Sequence, residues 1–411
     1  MTRQTPRLGP RLGPRPLPLH LAIQSLSTLS CLSALPLLRN GSLNLSPALQ
    51  PAAKALAAEL ENLDPEAFTQ AVIRGAGNRL NGFVDGVSRY RRATAKNTPA
   101  EPPVVWQRGA ARLLDFGVAT TEAMPILVVP SLINRAYILD LSEKRSLMRH
   151  LAGLGFRPYL LDWGWPGETE RDFTLTDYIT GTLAAGLDHI VDHHGRSAAM
   201  IGYCMGGNLV LPLAERHPDK INALALLATP WDFDAASQAQ RPVLAAAAPG
   251  LEAIIESLGM LPVDFLQALF VGLNPSQTAA KFRGFADLDM KSAKAREFIA
   301  LEDWVNDGVP LVGAVARECL FDWYLDNTPG RGQWRVDGQL VTPEDVIQPT
   351  LVVVPERDTI VPPASAMPLA EALPNARSIT LPTGHIGMVA GSGAKRGLYH
   401  HLGQWLAEVS S

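Results

Sequence analysis

Cys204 lies in Gly202-Tyr203-Cys204-Met205-Gly206-Gly207, where cysteine stands at the serine position of the nucleophile-elbow pattern G-x-S-x-G. An elbow turns from strand to helix so tightly that small residues must flank the nucleophile. Ala198-Ala199-Met200-Ile201 reads as the strand leading in, and Asn208-Leu209-Val210-Leu211 as the helix leading out. A thiolate is a strong nucleophile and a good leaving group, which predicts acyl transfer between thioesters ahead of plain ester hydrolysis. Such a nucleophile needs a base and a group that orients the base, in the chain order nucleophile, acid, histidine. Asp358 follows the apolar run Val352-Val353-Val354-Pro355, and His385 follows the run Ile379 to Leu381 through a short loop. Singly, a cysteine is usually a small buried hydrophobe, Asp358 a turn residue and His385 a loop residue. In this order, each at a strand end, they read as a triad. His385 takes the Cys204 proton or already holds it in an ion pair, and Asp358 fixes the imidazole tautomer. An oxyanion hole needs two backbone N–H donors. Met205, directly after the nucleophile, supplies one. The other falls in Pro130-Ser131-Leu132-Ile133-Asn134-Arg135, at Ile133 or next to it at Leu132.

The elements that position these residues alternate. Pro125 to Val129, Phe156 to Trp163, Ile221 to Ala228, Thr350 to Val354 and Ala376 to Leu381 read as strands, several apolar throughout, as for strands buried on both faces. Leu147 to Leu154 and Thr176 to His193 read as helices between them. The pattern predicts an α/β fold, a mostly parallel sheet with helices on both faces. Core segments 123–228 and 349–411 are interrupted by residues 229–348, where the alternation stops and aromatics gather at Phe265, Phe270, Phe282, Phe285, Trp304, Phe321, Trp323 and Tyr324. An insertion after a strand's carboxyl end sits over the site, so 229–348 is expected to be a helical cap. Residues 51–122 read as an N-terminal helical region, with Pro65 as a helix start.

Residues 1–50 form a basic, Pro-rich arm and an apolar segment. No acidic residue precedes Glu59, and Arg3, Arg7, Arg11 and Arg15 lead into the stretch Leu17 to Leu38. A basic start and an apolar middle suit a secretory signal. His20, Gln24, the serines, Pro18, Pro36 and the lack of an A-x-A site argue against it, and the same polar residues argue against a membrane span. Two readings remain: an arm whose helix packs on the domain, and a helix lying at an apolar interface. The 411 residues are 47% hydrophobic and 18% charged with a net charge of −4, which fits a globular protein with a sizeable core and excludes a nucleic-acid binder. Three scattered cysteines, Cys31, Cys204 and Cys319, fit a reducing cytoplasm rather than a disulfide framework. With no glycine-rich phosphate loop and no metal-spaced cluster, neither cofactor nor metal is expected.

From Pro125 to Trp405 the chain resembles the polyhydroxyalkanoate synthase family, the cysteine-nucleophile branch of the α/β-hydrolase fold. The resemblance is carried by Pro130 to Leu141 (PSLINRAYILDL), Leu161-Asp162-Trp163-Gly164-Trp165-Pro166-Gly167, the elbow, Glu356 to Pro363 (ERDTIVPP) and Gly384-His385-Ile386-Gly387. It implies polymerisation of 3-hydroxyacyl groups from coenzyme A thioesters, with the chain carried on Cys204, His385 activating the thiol, Asp358 helping to activate the incoming 3-hydroxyl and Trp163 walling the site. It also implies hydroxyacyl-coenzyme A and polyester as substrate and product, and a cytoplasmic, granule-associated location. Many family members carry a longer N-terminal domain, and shorter ones work with a separate subunit. The contacts left open are a homodimer, a partner synthase subunit and a granule surface. A hydrolase on the same triad, either a thioesterase or a depolymerase, and a granule-binding protein with a vestigial site are the alternatives.

Overall fold

A computed structural model describes residues 10–94, 99–117, 123–237 and 241–410, with side chains except at 236–237. Arg3 and Arg7 of the basic arm and the expected domain boundary at 122 lie outside the described residues.

The chain divides into two compact units. The larger, residues 97–266 and 307–411, is built on an eight-stranded sheet among the described residues. Its strands are β1 (Val104–Arg108), β2 (Ala111–Asp115), β3 (Pro125–Val129), β4 (Arg157–Asp162), β5 (Ala198–Tyr203), β6 (Ile221–Leu227), β7 (Thr350–Pro355) and β8 (Ala376–Leu381). They lie in the order β1-β2-β4-β3-β5-β6-β7-β8. From β4 to β8 every pairing is parallel, and β2 runs antiparallel to both its neighbours. β3, β5 and β7 are buried along their whole length, as their unbroken apolar runs require once helices cover both faces. The expectation of a parallel α/β sheet therefore holds. The expected N-terminal helical region, 51–122, gives way after Arg92 to an edge hairpin of β1 and β2. β2 is short but fully buried, and its Leu113 and Leu114 face Leu161 and Leu160 of β4. The helix expected over Thr176 to His193 forms as a π-helical stretch, Asp177–Leu183, running into the α-helix Ala184–His194.

The smaller unit takes residues 1–96 and Gln267–Asn306. Its helices are α1 (Leu17–Arg39), α2 (Gln50–Leu60), α3 (Pro65–Arg92), α4 (Gln277–Ala286) and α5 (Ala293–Asn306). α3 begins as its sequence dictates: Asp64 accepts from the Glu66 N–H at 3.1 Å, Pro65 opens the first turn, and Arg89, Arg91 and Arg92 close the last. Its buried face, Phe83, Val87 and Tyr90, packs on Phe282 and Phe285 of α4 and on Ala295 and Ile299 of α5. Phe83, Tyr90 and Phe298 meet Phe282 edge-on, at centroid distances of 6.1, 5.7 and 5.3 Å. The expected cap 229–348 is thus not one body. Phe282, Phe285 and Trp304 belong to the helical unit, because the apolar faces of α3 and α4 complete each other.

The arm is anchored rather than loose where it is described. Arg11 grips both carboxylate oxygens of Asp303, at 2.6 and 2.7 Å, and the Tyr90 hydroxyl donates to the same carboxylate at 2.8 Å. α1 is long and apolar enough to cross a membrane by length and composition, with a mean hydropathy of 1.6. It exposes Leu21, Leu26, Leu29 and Leu37.

Candidate active site

The elbow forms where β5 ends. Cys204 has φ 56° and ψ −129° and stands at the N-cap of the helix Met205–Arg216. This is a conformation that a non-glycine residue holds only under constraint from its surroundings. The constraint is visible: the Cys204 N–H donates to the Leu227 carbonyl of β6 at 2.8 Å, and its carbonyl accepts from the Gly207 N–H at 2.9 Å. Gly202 and Gly206 are required by close approach. A Cβ on Gly202 would lie 2.4 Å from the Gly207 Cα, and one on Gly206 would lie 2.1 Å from the Val129 carbonyl oxygen.

β7 and β8 are neighbours in the sheet, so the loops after them deliver Asp358 and His385 to the same carboxyl edge. His385 Nδ1 lies 2.6 Å from Asp358 Oδ2. The other Asp358 oxygen accepts the N–H groups of Ile360 and Val361, at 2.8 and 2.9 Å. Those backbone bonds hold the carboxylate in place, and His385 bonds to the Cys204 thiol as well. Burial on its own would lower the His385 pKa, but the charge of Cys204 and the bonds to Asp358 and Cys204 outweigh it and lift the value to about 10. The structure thus brings together all three residues expected from sequence, with the His385 imidazole held by the buried Asp358 carboxylate beside Cys204.

Of the two expected oxyanion donors, Met205 is the first residue of the helix, where N–H groups lack intrahelical acceptors. The Ile133 N–H meets the Ser131 hydroxyl oxygen at 3.1 Å, so an incoming carbonyl oxygen has to take that place. The Ile133 carbonyl accepts from Val309 N–H at 3.0 Å, and Asn134 bridges Gly308, so the segment returning at 308 is registered on this loop.

Trp163 is buried and its indole N–H donates to the Pro130 carbonyl at 3.0 Å, which places it against the loop rather than in open contact with solvent. Tyr203, whose role the sequence does not reveal, lies behind His385: the ring centroids are 5.2 Å apart and its hydroxyl donates to the His385 carbonyl at 3.3 Å. Aromatics from the segment after β6 cluster together. Phe233 meets Tyr324 edge-on at 4.9 Å and Trp323 at 5.7 Å, and Trp323 in turn meets Trp334 at 5.1 Å. Burial above all, and then the neighbouring Cys204, Cys319 and Asp358, pushes the Tyr324 phenol pKa up. Sequence spacing carried no signal for Tyr203 or for this pairing of Phe233 with Tyr324, since both depend on long-range packing. Among the described residues, no group of three or more His, Cys, Asp or Glu is placed to hold a metal.

Residues 125–391 match the family model for the alpha/beta hydrolase fold, and residues 94–151 match that for the poly-beta-hydroxybutyrate polymerase N-terminus. A poly(3-hydroxyalkanoate) polymerase subunit from Synechocystis is 32% identical over 76% of this chain and 85% of its own length. One from Allochromatium vinosum is 30% identical over 71% of this chain and 83% of its own. A monoacylglycerol lipase from Paleococcus ferrophilus covers 73% of this chain and 99% of its own at 16% identity, with a TM-score of 0.47.

Proposed function

The chain belongs to the poly(3-hydroxyalkanoate) polymerase family on the α/β-hydrolase fold, and from that premise we propose how its residues build a polyester. The observation that carries the reading is His385 held between Asp358 and Cys204 at one sheet edge. The Cys204 thiolate attacks the thioester carbonyl of a 3-hydroxyacyl-coenzyme A. The Met205 and Ile133 N–H groups take the oxyanion, the latter exchanging Ser131 for it. Collapse breaks the bond to the coenzyme A sulfur, which leaves with the proton held on His385, and the acyl group stays on Cys204 as a thioester. His385, now neutral, takes the proton from the 3-hydroxyl of the next unit. That oxygen attacks the Cys204 thioester, an ester forms, and the thiolate returns with a protonated His385 beside it.

Both oxygens of Asp358 are engaged, by His385 and by two backbone N–H groups, and its side chain is fully covered. That supports a role for Asp358 through His385 rather than by direct contact with the hydroxyl. The relatives are named as polymerase subunits, which supports work with a second polypeptide or a second copy of the chain. The uncharged, exposed face of α1 supports contact with an apolar surface such as the polyester product. A thiolate nucleophile supports a reducing, cytoplasmic setting.

The test is incubation with 3-hydroxybutyryl-coenzyme A, following free thiol and polymer together. Thiol release with polymer is expected, and Cys204→Ala should abolish both. Free acid without polymer would convert the enzyme into a thioesterase, and activity surviving in Cys204→Ala would sink the covalent route.

A further inference from the structure

The carboxyl end of β4 carries a charge cluster that the reaction above does not use. Asp162, the last residue of β4, stands directly across from Arg112 of β2 and is only 5% exposed. Its Oδ2 receives an Arg112 nitrogen at 2.7 Å and an Arg135 nitrogen at 3.7 Å. Its Oδ1 accepts the Gly164 N–H at 3.1 Å. Burial alone would raise the Asp162 pKa, yet Arg135 and Arg112 outweigh it and keep the group below the usual carboxylate range, so it stays charged at every working pH. The Arg112 pair lies within the β2–β4 ladder. Arg135 is different, because it arrives from the loop that carries Ile133. The neighbour of Asp162, Trp163, grips the other end of that loop at the Pro130 carbonyl. Residues 130–135 are thus tied at both ends to the tip of β4.

We propose that Asp162 is a positioning residue for the polymerase reaction: through Arg135, and together with the Trp163 grip on Pro130, it holds the oxyanion loop so that the Ile133 N–H aims at the acyl oxygen on Cys204. The inference rests on Ile133 being an oxyanion donor. The loop needs such anchoring because the Ile133 N–H must change acceptors, from Ser131 to substrate oxygen, while its backbone stays still. A preorganised donor lowers the barrier only if it does not have to be moved into place during the reaction. A small tilt of residues 130–135 lengthens that bond without touching Cys204, His385 or Asp358.

The experiment uses the full chain with 3-hydroxybutyryl-coenzyme A. Asp162→Asn keeps shape and the acceptor for Gly164 but removes the charge. Arg135→Met removes the partner, and Arg135→Lys keeps its charge. Three quantities are read: kcat per acylatable Cys204, KM, and the infrared carbonyl frequency of the isotope-labelled acyl-Cys204. Loss of a whole oxyanion donor costs about 10²–10³ in rate, so misaiming one is expected to lower kcat by roughly tenfold or more. KM should stay within about twofold, and the carbonyl band should move to higher frequency as its hydrogen bond weakens. Arg135→Met should match Asp162→Asn, the double variant should be no worse than either, and Arg135→Lys should recover most of the rate. A folded Asp162→Asn protein with unchanged kcat per site and an unchanged carbonyl band overturns the proposal, as do additive losses in the double variant. If Asp162→Asn does not fold, Arg135→Met decides by the same readouts. A parent that never acylates Cys204 overturns the covalent reaction itself, whereas a parent that acylates no faster than Asp162→Asn overturns only the positioning role.

Discussion

At the scale of single residues, the site works by confining charge. His385 is 9% exposed and Asp358 4%, and burial there would lower the His385 pKa if its interactions with Cys204 and Asp358 did not outweigh it. This sets a pH dependence. A histidine whose folded pKa is raised to about 10, against an ordinary 6.5, stabilises the fold fully below about pH 6.5. That contribution is lost as pH climbs toward 10, because between those values only the folded state holds the proton. Denaturant melts of the parent and of His385→Gln should therefore show a stability gap that narrows from pH 7 to pH 10. A gap that stays flat over that range would mean that His385 is neutral in the folded protein. These three residues were legible in sequence because each closes a local apolar run, and a strand's end can be read from the strand. Asp162, Arg112 and Arg135 were not, since nothing local marks a carboxylate as the partner of two distant guanidiniums. Ile133 was legible as part of a motif, but its bond to Ser131 was not.

The elements set tolerances that a sequence pattern only hints at. The elbow helix sits so close to β3 that the methyl group of a Gly206→Ala variant would meet the Val129 carbonyl oxygen at 2.1 Å, against backbone that cannot swing aside. Overpacking of this kind costs about 1–3 kcal/mol. The variant should melt lower, and its Cys204 should be acylated more slowly than the melt alone explains, because the turn that aims the sulfur has shifted. The aromatic cluster around Trp334 has its own sensitivity. Glu318 is half-buried, and this desolvation, with Asp322 nearby, pushes its pKa to about 7, while the Trp334 indole N–H at 2.8 Å works in the opposite direction. An acid whose folded pKa lies above its ordinary 4.5 is protonated in the fold at pH values where the unfolded chain has already ionised. Stability therefore falls as pH rises from about 4.5 to about 7. Glu318→Gln should flatten that part of the stability profile, and a slope that persists in the variant would assign it to another group. The strands of the sheet were readable from their runs, and only the hairpin of β1 and β2 was missed. Its strands have five residues each, too few for periodicity to tell from loop.

Across the whole molecule, the misreading was one of grouping. A continuous insertion at 229–348 was expected, yet residues 267–306 complete a helical unit begun by residues 10–94. The bond that shows this most plainly, Arg11 to Asp303, joins positions 292 apart, a distance over which no sequence pattern operates. Both side chains are about nine-tenths covered. Removing one partner of such a pair strands the other, at about 3–5 kcal/mol. Asp303→Ala should therefore loosen residues 10–94 and 267–306 first, seen as faster hydrogen exchange there before the sheet unit changes. Simultaneous loss of protection in both would make the two units one cooperative body. The return of the chain at Gly308 and Val309, paired with Asn134 and Ile133, has a consequence for redesign. The register is reset at that splice point, so a shift in the chain before it need not propagate into residues 130–135. The loop that receives the acyl oxygen would keep its frame.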